Sequence, residues 1–85
     1  MEEEKEDQKV EGINMHFSYN KLWKLLIDKK MKKQELGEKA GISAASIAKL
    51  GRDGNVTTDI LAKICVALEC EVSDILELVP DEVEQ

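Results

Sequence analysis

Hydrophobic positions between residues 18 and 79 recur at the spacing of a helix face. A first helix is predicted from Ser18, with Ser18 or Asn20 as its candidate cap. Trp23 is expected to be a core or half-buried anchor, because a lone indole among leucines usually packs. The apolar face of this helix consists of Tyr19, Leu22, Trp23 and Leu26, with Ile27 as a further candidate.

Two short helices are predicted next. The segment KQELGEKA, residues 33–40, ends at Gly41, which can adopt the left-handed conformation that terminates a helix. Ser43 then suits the N-cap of a third helix, from Ala44 to about Leu50. Gly37 keeps side chains small where these two helices must cross. The pattern therefore predicts a helix, a tight turn and a second helix.

The remaining apolar positions predict two more helices. Thr57 or Thr58, followed by Asp59, opens a fourth helix, and a short fifth helix ends at Pro80. With five helices and no strand signal, the expected fold class is all-α, a compact five-helix domain. The fifth helix is predicted from Val72, Ile75, Leu76 and Val79. The predicted buried cluster is Leu36, Ile47, Leu50, Leu61, Ile64 and Leu68.

A chain of 85 residues has room for one domain, predicted at residues 18–80. Residues 1–17 carry charge without periodicity and are expected to form an acidic, disordered arm, and residues 81–85 form an acidic tail. A domain this small buries only about 60% of its unfolded surface, so it gains stability from efficient helix packing or from a partner subunit. The candidate surface for a homodimer is the exposed side of the fourth helix and the end of the fifth, with Val66, Cys70, Leu78 and Val79.

The net charge of −6 is concentrated at the two ends of the chain. Residues 1–11 hold six acids and two lysines, whereas residues 12–80 hold ten basic and nine acidic side chains. Six lysines fall between Lys21 and Lys33, which allows a basic surface on a nearly neutral domain. The acidic start is unlike a signal peptide, and no apolar run is long enough for a membrane, so we expect a cytoplasmic protein.

The sequence offers little that could support catalysis. Its single histidine, His16, is far from Cys65 and Cys70, which have apolar neighbours and are expected to be reduced thiols in or near the core. There is no phosphate-cradling glycine loop, paired carboxylates or nucleophile constellation. We expect no enzymatic activity, no metal or other cofactor, and no small-molecule ligand.

The segment from Tyr19 to Val79 resembles the Cro and phage-repressor family, also called the xenobiotic-response-element type, and its short bacterial members in particular. The likeness includes QELGEKAGIS for helix two and the turn, SIAKL for helix three, and NVTTDILAKICVALECEVSDIL for the closing helices. The resemblance implies a lambda-repressor-like DNA-binding fold and a transcription regulator. It also implies that helix three reads the major groove of double-stranded DNA. We expect the regulator to bind a two-fold related operator as a homodimer.

Carried over by position, the resemblance assigns DNA contacts to the start of helix two, to helix three and to the loop that follows. Lys33 would meet a phosphate at the helix N-terminus, and Lys49 would carry most of the base readout, since alanines cannot hydrogen-bond a base. The sequence departs from the family pattern at Lys32, at Gly37 and in the loop of residues 51–54. The full set is Lys33, Ser43, Ala44, Ala45, Lys49, Arg52 and Asn55.

A competing hypothesis has its support in the net negative charge and in the pair Ala44 and Ala45. In it, the same scaffold is a protein-interaction module or an antitoxin-like partner with weak or no DNA binding. Retention on heparin or on random duplex DNA at low salt separates the two hypotheses.

Overall fold

Four α-helices, a short 3-10 helix and a two-stranded antiparallel sheet make up residues 14–81, the part of the chain described by the computed structural model. The elements in chain order are β1 (Met15–Ser18), α1 (Asn20–Lys29), α2 (Lys33–Ala40), α3 (Ala44–Gly51), α4 (Thr58–Leu68), the 3-10 helix (Val72–Asp74) and β2 (Glu77–Pro80).

Local chemistry explains where several helices begin and end. Thr57 is the N-cap of α4, because its Oγ1 accepts the backbone N–H of Ile60 at 3.3 Å. The N-cap of α1 is Tyr19, one residue after the candidate cap Ser18. The Ser18 hydroxyl still accepts the backbone N–H of Asn20. The chain leaves α1 at Lys30 in the left-handed conformation.

The prediction of a fifth helix, and with it the absence of strands, is wrong. Val72–Asp74 is a single 3-10 turn, and Glu77–Pro80 is a strand paired with Met15–Ser18. A proline disfavours helical backbone in the residue before it, here Val79, and pairing with β1 satisfies the backbone groups that a helix would have bonded internally. The fold is therefore helical with a small sheet.

The sheet joins the two ends of the described chain. Phe17 lies opposite Leu78 with both side chains exposed, whereas His16 lies opposite Val79 on the other face, where Ser18 is buried. Residues 15–17, predicted to belong to the N-terminal arm, are thus part of β1. Residues 1–13 of that arm and residues 82–85 of the tail lie outside the described residues.

The core lies between the helices and includes Ile75, the residue after the 3-10 helix. Of the predicted cluster, Leu36, Leu50, Ile64 and Leu68 are buried, while Ile47 and Leu61 are half-buried against them. The remaining buried apolar residues are Tyr19, Leu22, Leu26 and Ile75. The longest helix within residues 14–81 is α4, with 11 residues, so no helix in this part of the chain combines the length and the apolar character needed to span a bilayer.

Candidate nucleic-acid interface

The turn between α2 and α3 has the predicted geometry. Gly41 ends α2 in the left-handed conformation, with φ of 73°, and its N–H donates to the carbonyl of Gly37 at 2.9 Å. The N–H of Ile42 donates to the same carbonyl at 3.0 Å. Glycine adopts this conformation at a lower cost than other residues, so Gly41 suits the end of α2 and lets the chain turn sharply into α3.

Gly37 allows the two helices to approach closely. A methyl group at this position would lie 3.3 Å from the carbonyl oxygen of Ile42 and 3.6 Å from Ile47. The glycine weakens α2 by about 1 kcal/mol of helix propensity relative to alanine. In return, the turn backbone and Ile47 can pack directly against the helix.

Ser43 is the N-cap of α3, as predicted. Its Oγ accepts the backbone N–H of Ser46 at 3.1 Å, and its hydroxyl donates to the Ser46 Oγ at 3.2 Å. A phosphate that accepts a hydrogen bond from the Ser43 hydroxyl must therefore replace the Ser46 Oγ as its acceptor, while the capping bond from the Ser46 N–H can remain.

The loop after α3 closes tightly over the end of the helix. Arg52 is its C-cap, and the backbone N–H groups of both Arg52 and Gly54 donate to the Lys49 carbonyl, at 3.0 and 2.8 Å. A methyl group on Gly54 would lie 3.2 Å from that same carbonyl. These bonds hold the backbone at the end of α3, where the side chains of Lys49 and Arg52 are exposed.

The N-terminus of α2 carries the predicted phosphate ligand, Lys33, as its first residue. The chain has Lys32 at the N-cap, where Ser or Thr is usual, and the Glu35 carboxylate accepts the Lys32 backbone N–H at 2.7 Å. This is the half of a capping box that does not need a hydroxyl at the N-cap. The Lys33 Nζ lies over the ring of Trp23, 4.5 Å from its centroid.

All seven candidate residues are exposed on the α2–turn–α3 unit or on the loop after it. Lys33 and Ala44 line one shallow hollow of about 510 Å³ between the start of α2 and the start of α3. Neither Lys33, Lys49 nor Arg52 forms an ion pair with an acidic side chain of residues 14–81. Their charges are therefore not neutralised by the described part of the protein.

The four candidate dimer residues lie in two places. Val66, which is 77% exposed on α4, and Cys70 line one hollow of about 320 Å³ at the end of that helix. Leu78 and Val79 point to opposite faces of the sheet, since they are neighbours in a strand rather than on a helix. Leu78 is exposed and Val79 is half-buried.

Both cysteines are free thiols, half-buried against the core. Burial, followed by the influence of the neighbouring Cys65, raises the pKa of Cys70 to about 11 from its ordinary value of 9.0. Cys70 is therefore a protonated thiol near neutral pH, which makes it a poor nucleophile and a poor metal ligand.

Two contacts of the site have no local signal in the sequence. The pair of Lys33 with Trp23 joins two helices, and the Asp53 carboxylate reaches back to the N–H of Tyr19. Asp53 is flanked by Arg52 and Gly54 in the loop that departs from the family pattern, and its partner is 34 residues earlier. Only a three-dimensional arrangement of the helices brings these residues together.

Comparison with known proteins gives consistent matches. The family model described as the Cro/C1-type HTH DNA-binding domain matches residues 21–81. The uncharacterized HTH-type transcriptional regulator YozG of Bacillus subtilis (strain 168) is 43% identical over 60 residues, which is 68% of this chain and 71% of that protein. The crystal structure of the transcriptional regulator VanUg is 47% identical, with a TM-score of 0.77 over 87% of this chain and 99% of that one.

Proposed function

Since the chain belongs to the Cro/C1-type helix-turn-helix DNA-binding family and is a DNA-binding transcription regulator, we propose that it binds its operator as a homodimer. In this proposal α3 lies in the major groove. The observation that carries this proposal is the exposure of Lys33, Lys49 and Arg52 around α2 and α3 without an acidic partner in residues 14–81.

In the proposed complex, backbone contacts and base contacts come from different elements. Lys33 binds a phosphate beside the free N–H groups at the start of α2. Ser43 and Asn55 make further contacts with the DNA backbone. Lys49 and Arg52 extend from the second half of α3 and its C-cap, so both can reach the duplex. Lys49 is the main reader of base edges.

Ala44 and Ala45 are the proposed apolar contacts of the recognition helix. Both are exposed in the first turn of α3, and a methyl group can pack against a thymine methyl but cannot bond a base edge. Discrimination by this helix therefore depends on few hydrogen bonds. We accordingly expect the protein to bind its operator more tightly than other duplex sequences, but not to bind the operator alone.

A homodimer is proposed because two copies related by a two-fold axis present two recognition helices to successive major grooves. Val66 and Cys70 at the end of α4 are the proposed centre of the interface, with Leu78 and Val79 of β2 as the other candidates. We further propose that the protein acts in the cytoplasm by binding alone, without catalysis or a cofactor.

The test is to select bound sequences from a random duplex library and then to titrate the selected duplex with the protein. Lys49→Ala is expected to weaken binding to the selected duplex by about tenfold or more. Lys63→Ala is the matched control, because it removes the same charge from α4, where Lys63 pairs with Asp59 at 3.3 Å. If the wild-type protein is not retained on duplex DNA or heparin at low salt, the interaction-module hypothesis replaces this one.

A further inference from the structure

We infer that Trp23 is a positioning residue for DNA binding, whose indole ring holds the Lys33 ammonium where it meets a phosphate. The inference rests on the proposed role of Lys33. The starting observation is the distance of 4.5 Å between the Lys33 Nζ and the centroid of the Trp23 ring. The two residues belong to different helices, α1 and α2, so the contact results from the tertiary fold.

Trp23 is a firm support for the ammonium. Its side chain is half-buried and packs against the buried core, next in sequence to the fully buried Leu22. The face of an indole attracts a cation more strongly than that of any other side chain. A ring fixed by the core therefore holds the ammonium more closely than a mobile surface aromatic would.

The ammonium also lies close to the recognition helix. A methyl group added to Gly51, the last residue of α3, would lie 4.0 Å from the Lys33 Nζ. The positive charge is thus held where α1, the first turn of α2 and the end of α3 meet. Gly51 leaves space beside the ammonium because it has no side chain.

This arrangement orders the lysine before DNA arrives. A free lysine loses rotamer freedom when it binds a phosphate, and that loss weakens binding. An ammonium has three N–H donors, and contact with a ring face leaves donors free for phosphate oxygens. Trp23 therefore increases affinity through Lys33, without itself touching DNA.

A double-mutant cycle on DNA affinity tests the inference. Affinity for a mixed-sequence duplex of about 20 bp is measured at low salt for the wild type, Trp23→Leu, Lys33→Ala and the double variant. Trp23→Leu is expected to weaken binding about three- to tenfold when Lys33 is present, as loss of one pre-ordered side chain predicts. It should weaken binding less than about twofold when Lys33 is absent.

Two further variants guard against a purely structural effect. Trp23→Phe keeps an apolar ring with a weaker attraction for cations, so it should fall between the wild type and Trp23→Leu, and it replaces Trp23→Leu in the cycle if that variant is unfolded. A second cycle, with Lys49→Ala in place of Lys33→Ala, is the control. The fold-losses of affinity from Lys49→Ala and Trp23→Leu should multiply in the double variant, as expected for independent residues.

Trp23 is the only tryptophan of the chain, so intrinsic fluorescence reports on this ring alone. Duplex DNA should change the emission of the wild type and change that of Lys33→Ala less. An equal loss of affinity from Trp23→Leu with and without Lys33 overturns the inference while leaving the proposed function intact. A wild-type protein that does not bind the duplex overturns both.

Discussion

The carboxylate of Asp53 accepts the backbone N–H of Tyr19 at 3.1 Å, joining the loop after α3 to the start of α1. Its other oxygen lies 3.9 Å from the Nε2 of His16 in β1, and the Nδ1 of His16 lies 2.6 Å from Asp81 after β2. One side chain therefore connects the loop after α3 to the first helix and to the sheet. Asp53 has φ of 55°, which aspartate tolerates better than most residues.

Asp53→Ala is expected to destabilise the fold by about 1–3 kcal/mol, because the Tyr19 N–H loses its acceptor in a partly buried position and alanine tolerates a φ of 55° less well than aspartate. Asp53→Asn keeps an acceptor oxygen and should lose less than half as much. Urea unfolding of the two variants and the wild type measures this difference. Equal losses in both variants would assign the stability to the charge facing His16 instead of to the bond with Tyr19.

Leu50→Ala is expected to cost about 2–5 kcal/mol, since Leu50 is fully buried and its truncation leaves a cavity in the core cluster. This is a large part of the total stability of a small domain. Ile27→Ala is the matched control, because Ile27 is 73% exposed on α1 and its truncation should change stability by less than about 0.5 kcal/mol. Thermal unfolding measures the stability of both variants. An unchanged midpoint for Leu50→Ala would contradict the placement of Leu50 in the buried core.

The helices could be predicted because their signals are local. Gly41, Ser43 and Thr57 each determine a helix boundary within a few residues of themselves, and the buried leucines follow a helical period. The strand β2 could not be predicted in the same way. Its apolar residues also fit helical spacing, and its extended state depends on pairing with β1 at the other end of the chain.

The same distinction applies to the candidate site. The exposure of Lys33 and Lys49 follows from their positions on two amphipathic helices, which the sequence reveals. The contact of Lys33 with Trp23 depends on the angle at which α2 crosses α1, and the bond of Asp53 to Tyr19 depends on where the loop after α3 returns. Neither relationship has a periodicity or a motif.

The stability of the protein should fall as the pH rises from 9.0 towards about 11, because the folded state holds the proton of Cys70 more tightly than the unfolded chain does. Burial, and then the charge of Asp53, also raises the pKa of Tyr19, which adds to the same alkaline loss. Cys70→Ala should remove the Cys70 part only. Thermal midpoints at pH 8 and pH 11 should therefore differ less in Cys70→Ala than in the wild type, and equal differences would contradict the role of Cys70.

Val66→Lys is expected to shift the proposed homodimer towards monomers in sedimentation experiments, because it would bury an unpaired charge at the centre of the interface. Ile27→Lys makes the same exchange at another exposed apolar residue, on α1, and should leave the dimer intact. A Val66→Lys protein that still sediments as a dimer excludes the α4 surface. Leu78→Lys, on the exposed face of the sheet, is then the variant to measure.

The dependence of binding on salt should separate the two lysines proposed to face DNA. Each phosphate contact releases counterions, so the logarithm of the affinity falls with the logarithm of the salt concentration at a slope of roughly −0.9 per contact. Lys33→Ala should weaken binding about equally on all sequences and flatten this slope by about one unit per protomer. Lys49→Ala should chiefly reduce discrimination at one base pair, by about 1–3 kcal/mol. Salt titrations of both variants, on the selected operator and on a scrambled duplex, measure the two effects. If neither variant changes affinity, slope or preference, this face of α2 and α3 is not the DNA-binding surface.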